Sequence, residues 1–321
     1  KELVTLKETP NTVLFRIHPK QGSPTITATH LDTTRRLLWD YFQLDVKLGN
    51  LYQQWSQADA NFRTKGLQFP GLRVLRQPPV ENVLSFICSS NNHIPRITQM
   101  VETMCETYGE PVAEYQGRVF YSFPTLANLN ARSNLETELR ELGFGYRAKY
   151  IQATVRYLCV THGDAAEAWL LSMRQLSYSQ ARHALLKLTG VGPKVADCIC
   201  LMSLDKSEAV PVDTHVWQIA VRDYAFSSTT TTTSRATSLS IKTYAAVAEF
   251  FRKLFGAYSG WAHSVLFIAD LPVTQSSPRG KPARSGKSVK DDKLNSVTTQ
   301  ASQSELPTRP LKRKASLSEK S

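Results

Sequence analysis

The pattern of apolar and polar positions divides the chain into a short alternating part and a long helical body. Apolar residues alternate with polar ones within residues 1 to about 25, and Thr9-Pro10-Asn11 separates two such runs, which predicts an antiparallel β-hairpin. From Leu31 onward apolar residues recur at helical spacing, with a break near Pro70-Gly71, and the rest of the body is predicted to be helical too. The pattern therefore predicts an α+β fold that is mostly α-helical, and it contains no membrane-length apolar run.

A glycine-containing segment at residues 188–194, Leu-Thr-Gly-Val-Gly-Pro-Lys, lies between two predicted helices. The apolar spacing of residues 178–188 predicts the first helix, and the proline suits the first turn of the second. Gly190 and Gly192 bracket Val191, so we expect positive φ angles there and backbone N–H groups that can approach an anion closely. The segment predicts a helix-hairpin-helix unit suited to phosphate.

Lys194 and Asp213 offer an amine and a carboxylate close to this hairpin. Lys194 falls in the first turn of the second helix, where the helix dipole and partial burial disfavour the ammonium form, as a nucleophilic amine requires. Asp213 precedes the apolar run that begins at Thr214, which places it at a helix N-cap, where N–H groups keep a carboxylate ionised. An ionised carboxylate stabilises a cationic transition state, so the pair predicts nucleophilic catalysis.

Each of these features also has a purely structural interpretation. Glycine hairpins before helices are common, aspartates before helices are usually caps, and helical lysines are usually solvated. The functional prediction therefore depends on the combination of the three features and not on any one of them.

These segments resemble the eukaryotic 8-oxoguanine DNA glycosylase family. The resemblance rests on Leu188 to Met202 followed by Val210-Pro211-Val212-Asp213, and it covers most of residues 1 to 270. Four further matches lie in the same order along the chain: Tyr41 to Val46, Phe86 to Asn92, Gly145 to Ala148 and Gly260 to Ala262. Separated matches in the right order are far more specific than one motif.

The resemblance implies a helix-hairpin-helix DNA glycosylase fold with a partial N-terminal antiparallel β domain. We expect an N-terminal glycosylase domain over residues 1–85, a helical catalytic domain over residues 86–270 and a disordered basic tail over residues 271–321. The resemblance also implies a monomeric, bifunctional DNA glycosylase/AP lyase of base excision repair. Such an enzyme excises 8-oxoguanine and related oxidised purines opposite cytosine in duplex DNA.

The resemblance assigns roles to individual residues. Lys194 is expected to attack the sugar C1′, form a Schiff base and permit strand-nicking β-elimination, while Asp213 stabilises the oxocarbenium-like charge. Phe267 is expected to stack on the flipped base, with the Pro211 carbonyl at the base edge and His215 near its phosphate. The full set of predicted lesion-binding residues is Pro211, Asp213, His263, Phe267, Cys198, Met202 and His215.

Asn91, Arg96 and Arg147 match the residues with which the family reads the cytosine left opposite the lesion. Two guanidinium groups can meet the O2 and N3 acceptors of cytosine, and Asn91 can fill the space of the extruded base. Arg96 and Arg147 can alternatively hold phosphates. Tyr146 is either a wedge in the base stack, which we favour, or a core aromatic. The remaining predicted DNA contacts are Gly190, Val191 and Gly192.

The chain departs from the family pattern in three places. It begins at Lys1, so we expect an N-terminally truncated member that lacks the family's glycine, whose carbonyl recognises the N7–H of the lesion. His263 stands where the family usually has a glutamine on the Watson–Crick edge; a neutral histidine can donate or accept one hydrogen bond there, with an altered pH response. Residues 227–234 form a Ser/Thr run, which predicts a surface loop.

The charge distribution agrees with a DNA-binding protein. The net charge is +12, of which residues 271–321 carry +7, so the body keeps a modest positive excess that attracts phosphate. The basic run Arg309 to Lys314 resembles a nuclear-import signal and predicts a nuclear location, although a solvated tail explains it equally well.

The five cysteines are scattered and lie mostly in apolar helical contexts, which predicts reduced core residues. Cys198 and Cys200 are too close in sequence for an ordinary zinc pair. No cysteine follows Cys200, which argues against the iron–sulfur loop of the related endonuclease III family. We therefore expect no metal and no cofactor.

Two other function classes stay open at this point. One is a non-catalytic helix-hairpin-helix DNA-binding module, which does not need Lys194 and Asp213 beside an aromatic-lined pocket. The other is a glycosylase for alkylated purines, which typically has the aspartate without the lysine. Lys194 argues against both.

Overall fold

The computed structural model describes residues 1–19, 26–227 and 239–271. The predicted basic run Arg309 to Lys314 lies outside these residues, as do nearly all of the predicted tail and all but the first residue of the Ser/Thr run. Within the described ranges the protein is mostly α-helical and carries two small antiparallel sheets, which confirms the predicted α+β class.

The N-terminal residues form the predicted hairpin. Strands β1 (Leu3–Glu8) and β2 (Val13–His18) pair antiparallel, in a register that runs from Leu3 opposite His18 to Glu8 opposite Val13. Thr9 closes the turn, because its backbone N–H and its hydroxyl both donate to the Thr12 carbonyl, at 2.8 and 2.7 Å. The alternation of apolar residues and the Thr-Pro-Asn turn are therefore sufficient to specify this unit.

A second hairpin interrupts the helical body, so the expectation that the rest of the body is helical is wrong here. Strands β3 (Pro111–Tyr115) and β4 (Arg118–Tyr121) pair antiparallel across a two-residue loop. Both loop residues, Gln116 and Gly117, have positive φ angles, of 52° and 74°. Such a loop matches the twist of the two strands, and a glycine between runs of β-branched and aromatic residues is the sequence signal for it.

Fourteen α-helices make up most of the described residues. In chain order they are α1 (Ala28–Tyr41), α2 (Leu48–Ala58), α3 (Ala60–Gly66), α4 (Pro79–Cys88), α5 (Ile94–Tyr108), α6 (Leu126–Asn130), α7 (Leu135–Glu141), α8 (Arg147–His162), α9 (Ala166–Ser172), α10 (Tyr178–Leu185), α11 (Pro193–Ser203), α12 (Thr214–Tyr224), α13 (Ile241–Phe255) and α14 (Ser259–Asp270). Within the described part of the chain, no helix has the length and apolarity that crossing a membrane requires.

Helix α4 lies at the centre of the core. It packs against α5, α8, α9 and α11. Val83, Leu84 and Ile87 are fully buried there, and burial of each such side chain contributes roughly 1.5–3 kcal/mol. Because α4 and α11 share an extensive contact, the core fixes the position of the helix that carries Lys194.

Gly260, in the first turn of α14, lies directly against the loop that follows α11. Its backbone N–H donates to the Ser207 carbonyl at 2.9 Å. A Cβ atom at this position would lie 2.2 Å from the Ala209 carbonyl oxygen and 2.5 Å from Cδ1 of Leu201. Only glycine permits this approach, which sets the position of His263 three residues further along α14.

We expect Gly260→Ala to lower the free energy of unfolding by roughly 1–3 kcal/mol, because the backbone must shift to admit the methyl group. Gly49→Ala in α2 is the matched control, since a Cβ there meets no atom within 4 Å. Urea unfolding of the two variants and the parent protein measures both effects. Equal stability of the two variants would contradict the close approach of α14.

Candidate active site

The helix-hairpin-helix predicted from the sequence is present. Helix α10 ends at Leu185, and Pro193 is the first residue of α11. Gly190 has a φ of +83°, and a Cβ there would lie 2.7 Å from Cβ of Tyr150 in α8. Gly192 has a φ of −87°, so the expectation of positive φ is confirmed for Gly190 and wrong for Gly192. One left-handed residue is enough to reverse the chain, and Gly192 is the extended N-cap residue of α11.

The hairpin is anchored to α8 and is open towards solvent at its second glycine. The Thr154 hydroxyl donates to the Thr189 carbonyl at 2.8 Å, and Val191 is 5% exposed. Gly192 is exposed, and no side chain of the described residues caps the N terminus of α11. The first N–H groups of this helix are therefore available to an anion, as a phosphate site requires.

Lys194 is the second residue of α11 and is half-buried. Its Nζ lies 5.6 Å from the centre of the Phe86 ring of α4, and its charge is close enough to the Cys198 sulfur, one turn further along α11, to affect the pKa of that thiol. The amine therefore lies against an aromatic ring on one side of α11.

Asp213 is the N-cap residue of α12, as the sequence predicts. Its Oδ1 accepts a hydrogen bond from the Val216 N–H at 2.9 Å, and its backbone is extended. Pro211 and Val212 before it are buried. The carboxylate therefore lies at the N terminus of α12, in an orientation that its hydrogen bond to Val216 fixes.

His263 and Cys198 share one environment with Lys194 and Asp213. Burial lowers the pKa of His263 to about 4, against an opposing effect of Asp213, and the Lys194 charge lowers it further. Burial raises the pKa of the Cys198 thiol to about 11, and the Lys194 charge opposes this rise. At neutral pH the imidazole and the thiol are therefore both uncharged.

The two ring nitrogens of His263 are buried and have no hydrogen-bond partner among the described residues. A neutral imidazole has one donor and one acceptor nitrogen. Leaving both without a partner in a buried position is unfavourable by a few kcal/mol. The site therefore offers an unsatisfied donor and acceptor close to the Lys194 amine.

Aromatic rings line the same part of α14. The Phe267 ring lies 6.2 Å from that of His263 and 5.4 Å, edge to face, from that of His215. His215 Nε2 lies 3.0 Å from a carboxylate oxygen of Asp270, at ion-pair distance but without hydrogen-bond alignment. Met202 is half-buried one turn beyond Cys198 on α11. The predicted lesion-binding residues thus lie on three neighbouring elements: α11, the start of α12, and α14.

The three residues predicted to read the opposite base and the predicted wedge residue Tyr146 lie around the C terminus of α4. Arg147 is 3% exposed, and its guanidinium donates to the carbonyls of Ser90 and Asn91. The Tyr146 hydroxyl also donates to the Ser90 carbonyl, at 2.9 Å, and Arg147 lies over the Tyr146 ring at 4.6 Å. Asn91 is exposed and has a φ of 46°.

Arg96 joins this group from α5, because its Nη2 donates to the Gly143 carbonyl at 3.2 Å and its side chain is otherwise exposed. Tyr146 is 43% exposed, which excludes a position in the core. Two residues to which the sequence analysis gave no role in the site, Phe86 and Tyr150, connect its parts. Phe86 lies under Lys194, and Tyr150 packs against both Gly190 and the Tyr146 ring.

All five cysteines are free thiols, and Cys88, Cys198 and Cys200 are buried, in agreement with the prediction of reduced core residues. Over the described ranges, no group of three or more His, Cys, Asp or Glu side chains is arranged to hold a metal ion.

Comparison with known protein families matches two consecutive parts of the chain. Residues 1–83 match the N-terminal domain of 8-oxoguanine DNA glycosylase. Residues 84–255 match the family of HhH-GPD superfamily base excision DNA repair proteins. The second match contains the hairpin, Lys194 and Asp213.

Two curated relatives are similar along most of their length. The N-glycosylase/DNA lyase OGG1 of Arabidopsis thaliana is 40% identical over 273 residues, which are 84% of this chain and 70% of that protein. The N-glycosylase/DNA lyase of Saccharomyces cerevisiae is 40% identical over 265 residues, which are 77% of this chain and 69% of that protein.

Solved structures with the same fold include DNA complexes. The 8-oxoguanine glycosylase/lyase of Clostridium acetobutylicum, in complex with dsDNA containing cytosine opposite 8-oxoG, has a TM-score of 0.67 at 30% identity and covers 82% of this chain and 80% of its own. MBOgg1 in complex with a low-affinity DNA ligand has a TM-score of 0.69 at 27% identity and covers 83% of this chain and 81% of its own. With its two family matches and its relatives, the chain belongs to the HhH-GPD superfamily of base excision DNA repair proteins, among the N-glycosylase/DNA lyases.

Proposed function

We propose that this chain excises 8-oxoguanine paired with cytosine from duplex DNA and then nicks the strand as an AP lyase. The observation that carries the proposal is that the charges of Lys194 and Asp213 both act on the buried side chains of Cys198 and His263, whose two ring nitrogens lack a hydrogen-bond partner among the described residues. A non-catalytic DNA-binding module does not require an amine and a carboxylate in these positions. An alkylpurine glycosylase does not require the amine.

Lys194 is the proposed nucleophile. In its unprotonated form it attacks C1′ of the flipped nucleotide, and the base departs with the electron pair of the glycosidic bond and takes up a proton. Opening of the sugar ring then gives an iminium ion between Nζ and C1′. Loss of a proton from C2′ expels the 3′ phosphate, which breaks the strand. These steps need no cofactor.

Asp213 is the proposed electrostatic partner of this reaction. Positive charge develops on the sugar as the base leaves, and a carboxylate that is already fixed stabilises this charge without reorganisation. The N-cap bond to Val216 keeps the side chain in one orientation. The aspartate therefore contributes most to the first step, in which the glycosidic bond breaks.

The side chains of Phe267 and His263 suit a flat base that forms hydrogen bonds along its edge. Phe267 provides an aromatic face for stacking. The His263 nitrogens gain the partners that they lack when a base edge with a donor and an acceptor enters. The proposed lesion site is completed by Cys198, Met202, Pro211 and His215. The side chain proposed to contact the base edge, His263, is uncharged at neutral pH.

Recognition of the opposite base is proposed to lie at the C terminus of α4. Arg147 holds the carbonyls of Ser90 and Asn91, so it fixes the loop from which the Asn91 side chain projects. Arg96 supplies a second guanidinium, and the exposed Tyr146 ring is placed to wedge into the base stack. Gly190, Val191 and Gly192 are proposed to bind the DNA backbone. The Val191 N–H already donates to the Leu188 carbonyl, so the N–H groups offered to phosphate are those of Gly190 and Gly192.

We further propose that residues 1–85 and 86–270 act as two domains of a monomeric enzyme that works in the nucleus. A nuclear or mitochondrial location agrees with the DNA repair activity of the relatives. The basic run Arg309 to Lys314 supports the nucleus.

We expect Lys194→Gln to reduce excision of 8-oxoguanine opposite cytosine by about a thousandfold or more, because the variant cannot form the covalent intermediate. Borohydride reduction should trap a protein–DNA complex with the parent protein and none with Lys194→Gln. Lys187→Gln, which alters an exposed lysine of the same hairpin, is the matched control and should trap normally.

Undamaged duplex should give no trapped complex with any of the three proteins. Trapping that persists in Lys194→Gln would exclude this residue as the nucleophile. Binding without trapping by the parent protein would instead favour a DNA-binding module.

We expect His263 to make the folded protein less stable in mild acid. The folded pKa of about 4 lies below the ordinary value of 6.5, so below pH 6.5 the unfolded chain takes up a proton that the folded chain does not. Stability from this group is therefore fully present above pH 6.5 and is lost as the pH falls towards 4. The loss amounts to roughly 3 kcal/mol.

Urea unfolding of the parent protein and His263→Gln between pH 7.5 and 4.5 measures this effect. The parent should lose stability more steeply, because glutamine does not titrate. Parallel curves for the two proteins would mean that His263 takes up its proton in the folded state as readily as in the unfolded chain.

A further inference from the structure

A fully buried carboxylate lies one turn beyond Lys194 on α11. Asp197 is 0% exposed. Its Oδ1 accepts hydrogen bonds from the Tyr178 hydroxyl at 2.7 Å and from Nε of Arg182 at 2.8 Å, and its Oδ2 accepts one from the Tyr244 hydroxyl. Three donors and one positive charge offset the desolvation of this carboxylate. The cluster joins three helices: α10, α11 and α13.

Tyr244 differs from the other two partners because its hydroxyl makes a second contact. The Val212 N–H donates to the Tyr244 oxygen at 3.4 Å, and both groups are buried. Val212 is the residue immediately before Asp213. A continuous path of hydrogen bonds therefore runs from Asp197, on the helix of Lys194, through Tyr244 to the backbone N–H of Val212, the residue before Asp213.

The direction of each bond in this path is fixed. Burial raises the pKa values of Tyr244 and Tyr178 above their usual range, so both hydroxyls stay protonated. A phenol has one hydrogen to donate, and the backbone N–H of Val212 can only donate. The Tyr244 hydroxyl must therefore donate to Asp197 and accept from Val212. A phenylalanine at this position can make neither contact.

We infer that Tyr244 is a positioning residue, which sets the Asp213 carboxylate relative to the Lys194 amine. The inference rests on the proposed function, in which these two groups act on one sugar. Two contacts constrain Asp213. The bond between the Val212 N–H and Tyr244 fixes the backbone before it, and the N-cap bond from the Val216 N–H fixes its carboxylate. Without Tyr244 only the second of these constraints remains.

Tyr178 provides a matched control for this inference. Both tyrosines donate to Asp197 and both are largely buried, but the only contact of Tyr178 within this path is the one to Asp197. Tyr178→Phe and Tyr244→Phe therefore each remove one hydroxyl and one bond to Asp197. Only Tyr244→Phe also removes the acceptor for Val212.

The experiment measures three quantities for the parent protein and the two variants. They are the single-turnover rate of 8-oxoguanine release opposite cytosine, the Kd for a duplex with a tetrahydrofuran abasic analogue, and the midpoint of thermal unfolding. A loss of structure alone lowers the midpoint and weakens binding, whereas a displaced carboxylate slows the chemical step at unchanged affinity.

We expect Tyr244→Phe to slow base release on the order of 10- to 100-fold, because small displacements of a reacting group have effects of this size. Tyr178→Phe should stay within about threefold of the parent rate. Both variants should keep the parent Kd and show similar, modest decreases in the unfolding midpoint. Equal rates in the two variants, whether slow or fast, would overturn the inference.

A parent protein that binds the analogue but releases no base would contradict the proposed function, and the inference with it.

Hydrogen exchange of the parent protein gives a test that needs no variant. The Val212 amide should exchange as slowly as the amides of the α11 core. Rapid exchange at Val212 in the folded protein would also overturn the inference.

Discussion

Helix α11 is enclosed by protein along nearly its whole length, and the positions of the proposed catalytic groups follow from that enclosure. Residues 195–201 are all buried, whereas Lys194 before them is half-buried. An amine at the first turn of a buried helix stands at the boundary between a low-dielectric core and the surface that DNA approaches. The side chains around the Lys194 amine can therefore be apolar or uncharged, while the amine itself remains accessible to a substrate.

The enclosure places polar groups where the core must satisfy them or leave them for a ligand. Asp197 is satisfied by Tyr178, Arg182 and Tyr244, which bind α11 to α10 and α13. His263 is left without a hydrogen-bond partner among the described residues, in the proposed lesion site. Buried polar groups need hydrogen-bond partners. A cluster whose groups are all bonded stabilises the fold, whereas a buried group without a partner is available to bind a ligand.

The sequence predicts those parts of the site whose signals are local. The Pro-Val-Asp-Thr run specifies the Asp213 cap, Gly190 and Pro193 specify the end of the hairpin and the start of α11, and the alternation before residue 19 specifies the first sheet. The second hairpin escaped prediction because its strands are short and its turn, Gln116-Gly117, differs from the commonest hairpin sequences.

Two glycines suggest two left-handed residues, but Gly190 alone has that conformation and Gly192 is the extended N-cap residue of α11. Contacts between residues distant in sequence were not predictable from any motif. Phe86 reaches Lys194 through helix packing, and Tyr244 reaches Val212 across 32 residues. An aspartate inside the apolar run Val195 to Met202 was the one available sign of a buried polar cluster.

The central claim is that Lys194, in the first turn of α11, supplies the nucleophile. Peptide mapping by mass spectrometry of the borohydride-reduced complex tests it most directly, since reduction leaves a stable sugar remnant on the reacting nitrogen. The account predicts that the remnant lies on the peptide containing Lys194. A remnant on Lys187, on Lys206 or on the N-terminal amine would contradict it.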